Sequence, residues 1–266
     1  MNRRIDLLSN QENVGTGPPI FIVGCHRSGT TLLRLMLDSH SRISCGPESG
    51  LLADLPELTK RNAGYLRNYP LPENYLDRKF AELFDSFKSE YARSKGKVRW
   101  ADKTPKYALS LDYIARLFPT CQIVHVVRDG RDVVASHRDR WGYWSALKAV
   151  EKWPRYIRAV RGAGAKLSPD RYCEIRYENV VGDTEGTLRA MLEWLGEPWD
   201  PAVLEHDKKP HDIAEHYAGF VAKRRAGAGS AIYRNRVGTH RRELDPLLRL
   251  LFSLRARATL TELGYV

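Results

Sequence analysis

The sequence predicts an α/β fold: a P-loop-type parallel sheet flanked by helices on both faces, with a helical/loop lid. Three observations carry that expectation. Short strand-like runs recur at 20–23, 42–45, 98–101, 121–127 and 172–177, with helical periodicity between them. The first run ends in a glycine-bracketed loop, residues 24–31, that opens directly into a helix bearing Leu32, Leu33, Leu35, Met36 and Leu37. A chain of 266 residues that is 42% apolar and 10% aromatic can also bury a substantial core, which excludes global disorder.

In order along the chain, residues 1–17 are polar and read as a flexible lead-in, and 18–266 read as a single domain. After the first strand, loop and helix, 42–45 forms a second strand ending at Gly46-Pro47-Glu48. Residues 51–58 are expected to be helical. Residues 61–75, with Asn, Gly and Pro around Tyr65, Tyr69 and Tyr75, read as an aromatic covering loop. Leu76, Phe80, Phe84, Phe87 and Tyr91 recur at helical spacing. The strand at 98–101 runs into Asp102-Lys103-Thr104-Pro105. A helix is expected over 107–118, stopped by Pro119. The buried strand 121–127 leads into Arg128-Asp129-Gly130-Arg131 and a helix through Ser136. Helices follow at 144–160 and at 184–195, the latter closed by Gly196, with the strand 172–177 between them. Residues 207–242 are polar, Gly-rich and basic, and 244–263 closes the chain as a helix.

The formal charge of +11 favours an anionic ligand, an acidic acceptor or nucleic acid; a basic solvated surface is the plain alternative. Cys25, Cys45, Cys121 and Cys173 lie in or beside apolar runs without metal-ligand spacing, so reduced thiols and no metal are expected. Without a signal-like N-terminal run, or an apolar stretch of about 18 residues, the expectation is a cytoplasmic protein with no membrane span.

Ligands of open α/β sheets bind beyond the carboxyl ends of the strands. Residues 25–31, 46–48, 102–105 and 128–136 meet there. The strand–loop–helix aims backbone N–H groups and a helix dipole at one point, an anion cradle. Gly24-x4-Gly29 has the spacing of a nucleotide-binding loop, but Thr30 stands where a kinase or NTPase carries the lysine that reaches the β/γ-phosphates. The nearest cation is Arg27, so the cradle suits a short oxyanion. Arg128 ends a strand and Ser136 lies about two turns along the next helix, a second anion site. Two separated anion sites suit a nucleotide with phosphates at both ends of its ribose. The duller readings are a helix cap at 28–31, an Arg128 that pairs with Asp129 or Asp132, and a Tyr177 in the core.

Several motifs in this order and spacing resemble the sulfotransferases that use 3′-phosphoadenosine 5′-phosphosulfate (PAPS), and above all the tyrosylprotein sulfotransferases. They are the RSGTTL loop at 27–32, LDSH at 37–40, the Cys45 to Glu48 turn, Lys103-Thr104-Pro105, RLFP at 116–119, VRDGR at 127–131 and the final ELGYV. The resemblance spans roughly 18–265. It implies that Arg27, Ser28, Gly29, Thr30 and Thr31 hold the 5′-phosphosulfate, and that Arg128 and Ser136 hold the 3′-phosphate. It places Tyr177 near the adenine and Arg236 over the nucleotide from the C-terminal segment. Glu48 matches the base for the acceptor hydroxyl, and Lys103, with Arg27, the cations that stabilise the leaving group. No metal is implied. The acceptor is a hydroxyl on a peptide tyrosine, glycan, lipid or small phenol, with no nucleic-acid partner; a homodimer is compatible.

The chain departs from that pattern in two places. The soluble phenol and steroid enzymes carry a His two residues after the Lys, where this chain has Pro105. The tyrosylprotein enzymes carry a Cys two residues before it, where this chain has Ala101. Two rival readings remain at this level: a P-loop nucleotide kinase, disfavoured by Thr30, and a non-catalytic nucleic-acid-binding protein, suggested by the charge alone.

Overall fold

Five parallel strands set the frame: β1 (Ile20–Val23), β2 (Ile43–Cys45), β3 (Arg99–Lys103), β4 (Gln122–Val127) and β5 (Tyr172–Arg176), in the order β2-β3-β1-β4-β5. The protein is described by a computed structural model over residues 17–212 and 236–266. Most of the lead-in and much of the polar, basic 207–242 segment, residues 1–16 and 213–235, lie outside the described residues.

The helices are α1 (Thr30–Ser39), α2 (Leu55–Leu66), α3 (Tyr75–Ser94), α4 (Leu111–Leu117), α5 (Gly130–Trp141) and α6 (Tyr143–Gly164). They continue with α7 (Tyr177–Gly182), α8 (Thr184–Leu195), the single turn α9 (His240–Glu243) and α10 (Pro246–Glu262). Local chemistry sets several of their ends. The Asp129 carboxylate accepts from Arg131 N at the start of α5, Asp183 from Gly186 N at α8, and Asp245 from Leu248 N at α10. Gly196, at φ 75°, ends α8 in the left-handed region.

The alternation along β1 explains why helices cover both faces. Phe21 and Val23 face one side with Phe84 of α3, Ile114 of α4, Trp153 of α6 and Phe252 of α10. Ile20 and Ile22 face the other with Leu33, Met36 and Leu37 of α1 and Leu188 and Leu192 of α8. Strands buried on both faces read as continuous apolar runs, which is how β1 and β4 stand out in the sequence.

The structure corrects several boundaries. Helix α2 runs to Leu66, so only 67–74 of the expected covering loop lacks helix. The helix expected over 107–118 is split into a 3-10 segment, Pro105–Leu109, and α4. The cause is tertiary: the Tyr107 hydroxyl bonds Ser49 Oγ at 2.9 Å and accepts from Leu52 N at 3.2 Å, which draws this segment onto the 46–52 turn. The last strand stops at Arg176 because Tyr177 turns inward to pack on the loop after β1.

Candidate active site

Elements β1, β3 and β4 release their chains at one edge of the sheet, and three groups of residues meet there. The first is the loop after β1. Gly24 is needed because a Cβ there would lie 2.5 Å from the Val126 carbonyl. Ser28 N donates to Cys25 O at 3.1 Å, closing the turn. Gly29, at φ 97°, precedes α1, and a Cβ on it would meet the Tyr177 ring at 2.3 Å. No side chain among the described residues caps α1, and Ser28 Oγ is buried without a hydrogen-bond partner. The first turn of α1 thus aims its backbone donors outward, as an anion cradle requires. Thr30 is buried, with its methyl packed toward Gly24.

The second group joins Thr31, Glu48 and Lys103. Lys103, at the end of β3, is 2% exposed. Its ammonium donates to the Glu48 carboxylate and reaches Thr31 Oγ1 at 3.3 Å. Burial holds its pKa below the ordinary lysine value, and Glu48 opposes that shift. The Glu48 turn is clamped by Arg34, whose Nε donates to Cys45 O and Gly46 O, each at 2.9 Å. Beneath it, the buried Asp102 carboxylate accepts from Lys88 Nζ at 2.9 Å, Ser49 Oγ at 3.0 Å and Thr104 Oγ1 at 2.7 Å.

The third group surrounds Arg128. Its guanidinium lies 4.4 Å over the Tyr177 ring, and it donates to Arg27 O at 3.0 Å and to Arg236 O. Its Nε is buried without a partner. The neighbouring Asp132 lies 3.9 Å from Arg128 and accepts from Gly238 N at 2.7 Å and His240 N at 2.9 Å, which returns 236–240 to the site. Arg27 Nε donates to Ser136 Oγ at 2.9 Å, and its guanidinium sits 5.5 Å from the centre of the Trp141 ring.

The structure therefore brings the expected residues into two linked clusters, Thr31–Lys103–Glu48 and Arg27–Ser136–Arg128–Tyr177–Arg236. It attaches the Arg27 side chain to Ser136, in the second cluster, where the sequence reading grouped it with the loop hydroxyls. His125 and Trp100 lie in the core, 0% and 5% exposed. Two histidines that could in principle serve as a base, His40 and His240, have structural partners: His40 Nε2 with Pro198 O at 2.9 Å and His240 Nδ1 with Asp132 at 2.8 Å. Sequence reasoning missed Arg34 and Lys88; it named Asp132 as a possible partner of Arg128, which the structure bears out, and Asp102 only as part of the 102–105 turn. Arg34 had left a signal, a cation inside the apolar run LLRLML.

If Arg128, which also bonds the Arg27 carbonyl, receives the 3′-phosphate as the sequence implies, Arg128→Ala is expected to weaken 3′,5′-adenosine bisphosphate binding at least ~10-fold. AMP should lose less, through the loosened loop alone. Calorimetric titration checks this, and equal losses for the two ligands would move the 3′-phosphate site elsewhere.

Comparisons with known proteins agree with this geometry. A family model described as "Sulfotransferase family" matches residues 18–201. A protein-tyrosine sulfotransferase of Drosophila melanogaster is 29% identical over 74% of this chain and 42% of its own length. Protein-tyrosine sulfotransferase 1 of Danio rerio is 30% identical over 72% of this chain and 56% of its own. The chain thus spans about half the length of the curated relatives it matches. Among solved structures, the sulfotransferase domain of the olefin synthase from Synechococcus PCC 7002 superposes with a TM-score of 0.66 at 22% identity, over 95% of this chain and 98% of that one. A glycine-bracketed loop without the nucleotide-kinase lysine, two linked side-chain clusters at one sheet edge and a family match over most of the chain agree: this protein belongs to the sulfotransferase family.

Proposed function

We propose that this chain transfers the sulfuryl group of PAPS to a hydroxyl acceptor. The observation that carries the reading is the position of Lys103, whose one ammonium spans a carboxylate, Glu48, and a hydroxyl of the anion loop, Thr31. A transfer site needs that adjacency: a base for the acceptor beside a cation for the leaving oxygen. The residues also fit the donor. Ser28 Oγ, in the loop after β1, and Arg128 Nε, in the second cluster, are buried polar atoms without hydrogen-bond partners among the described residues. A bound phosphate or phosphosulfate would satisfy both.

In this proposal the loop N–H groups with Ser28 and Thr31 hold the 5′ end, Arg128 and Ser136 the 3′-phosphate, and the Tyr177 ring the base. Arg236 contributes its carbonyl to Arg128, which fixes that guanidinium. The donor, when bound, supplies the sulfuryl group and leaves as 3′,5′-adenosine bisphosphate. Glu48 takes the acceptor proton, Lys103 neutralises charge on the departing phosphate oxygen, and Arg27 does the same once it leaves Ser136. Metal independence belongs to the proposal, since protein cations supply the charge. The names of the curated relatives favour peptidyl tyrosine as acceptor. A cytoplasmic setting goes with it, argued from the composition and spacing of the four cysteines.

The test is transfer of labelled sulfate from PAPS to a tyrosine-containing peptide and to cell extract, with excess EDTA or with magnesium. Labelling at equal rates in both is expected. Magnesium-dependent transfer from ATP, with none from PAPS, would overturn the reading.

A further inference from the structure

A row of exposed apolar side chains runs along α6 and α10. Trp144 of α6 is 77% exposed, and Leu247, Leu250 and Leu254 of α10 are 66%, 58% and 68% exposed. The leucines recur at i, i+3 and i+7, so they share one face of α10. Residues 144, 148, 151, 155 and 158 recur in the same way on α6, and all are exposed.

Contacts between the helices align the two faces. Arg255 lies 3.5 Å from Glu151, the rings of Trp153 and Phe252 are 5.5 Å apart, and Arg161 pairs with Glu262. The helices therefore run parallel. Trp144 stands about two turns before Glu151 and Leu247 about two turns before Arg255, so the two are level. At the same end, Arg138 donates to Glu243 O at 2.6 Å and lies 3.6 Å from Asp245. Trp141 and Tyr143, also exposed, continue the row round the corner between α5 and α6.

The rim of this row is cationic. Arg140, Lys148, Arg155, Arg242, Arg255 and Arg257 are exposed along α5, α6, α9 and α10. Of the acidic groups nearby, Glu151, Asp139 and Asp245 each have an arginine within 4.0 Å, and Glu243 is exposed. The choice of occupant follows from this charge. A second copy of the chain in a two-fold contact would set the same arginines against one another. Nucleic acid would use the cations but not a leucine row. A surface of anionic lipid uses both: leucine and tryptophan enter the headgroup boundary while arginine and lysine meet phosphates.

We propose that the α6–α10 face is a peripheral docking surface for an anionic membrane, with Trp144, Leu247, Leu250 and Leu254 entering the headgroup region and the basic rim meeting lipid phosphates. Arg27 lies over Trp141 at one end of the row, so docking would bring the donor loop close to the lipid surface.

The experiment is flotation of the intact chain with phosphatidylcholine vesicles, with and without phosphatidylserine, at low and high salt. Binding only to the phosphatidylserine vesicles is expected, with release by salt and a blue shift of tryptophan emission. The exposed double variant Leu250→Glu/Leu254→Glu should partition about 100-fold less, about tenfold for each leucine withdrawn from the interface. Lys148→Glu/Arg155→Glu should also reduce binding, and both variants should melt at the wild-type temperature. Equal binding to the two vesicle types would overturn the proposal, as would wild-type partitioning of the leucine variant. So would leucine-dependent binding to polyglutamate that excludes vesicles, since the surface would then serve an acidic protein.

Discussion

Glu48→Gln is expected to lower sulfuryl transfer by about 10²–10⁴ while leaving donor binding nearly intact. The substitution keeps the shape of the side chain and an oxygen for the Lys103 ammonium, but removes the carboxylate proposed to take the acceptor proton. Lys103 stays buried and its charge is then less compensated by the neighbouring side chain. Affinity for 3′,5′-adenosine bisphosphate should therefore hold or tighten. Acidic phenols need less help in losing a proton, so the defect should shrink with them where the enzyme accepts them. Single-turnover rates with matched acceptors give the comparison. Normal turnover by the variant would reduce Glu48 to a turn residue, and the structure leaves neither His40 nor His240 ready to replace it.

Lys103→Ala is expected to act on both halves of the reaction. Removing the cation from the Thr31 hydroxyl and the leaving oxygen should cost about 10²–10³ in rate. The lost charged contact should also weaken 3′,5′-adenosine bisphosphate binding about tenfold. The fold should survive, because the Glu48 side chain is 25% exposed and water can reach the carboxylate left behind. Lys103→Arg should not restore the rate, since a guanidinium must fit where a buried ammonium now bonds Glu48 and Thr31. A Lys103→Ala enzyme with full activity and full donor affinity would remove the observation on which the function rests.

The parts of this architecture that local rules dictate could be read from the residues. Ile20 to Val23 and Gln122 to Val127 announce buried strands, and Gly196 ends a helix that begins after Asp183. The loop was legible because its glycines serve close approaches, one to the Val126 carbonyl and one to the Tyr177 ring. What long-range contacts decide was not legible. Nothing near Tyr107 in the chain says that its hydroxyl is claimed by Ser49 and Leu52, so the break before α4 was missed. Lys88 belongs to a helix whose periodicity reads as amphipathic, and its partner Asp102 arrives on a strand 14 residues later. Arg34 sits on an apolar helix because its task is to hold the carbonyls of the next strand's end. Such a task is visible only once β2 is in place.

One residue of the loop has a further consequence. Arg27 is the only non-glycine among the described residues with a positive φ, 72°. A left-handed residue with a Cβ costs on the order of 1 kcal/mol. With that backbone, the Arg27 carbonyl meets Arg128 while its side chain meets Ser136. In the proposed site a single mechanical part would therefore grip both ends of the donor, and its components could not be retuned one at a time. Arg27→Gly would relax the backbone and keep the carbonyl contact, yet forfeit the side chain that joins the halves. On that reading, an engineer seeking a donor without the 3′-phosphate would have to redesign the loop and the Arg128 cluster together.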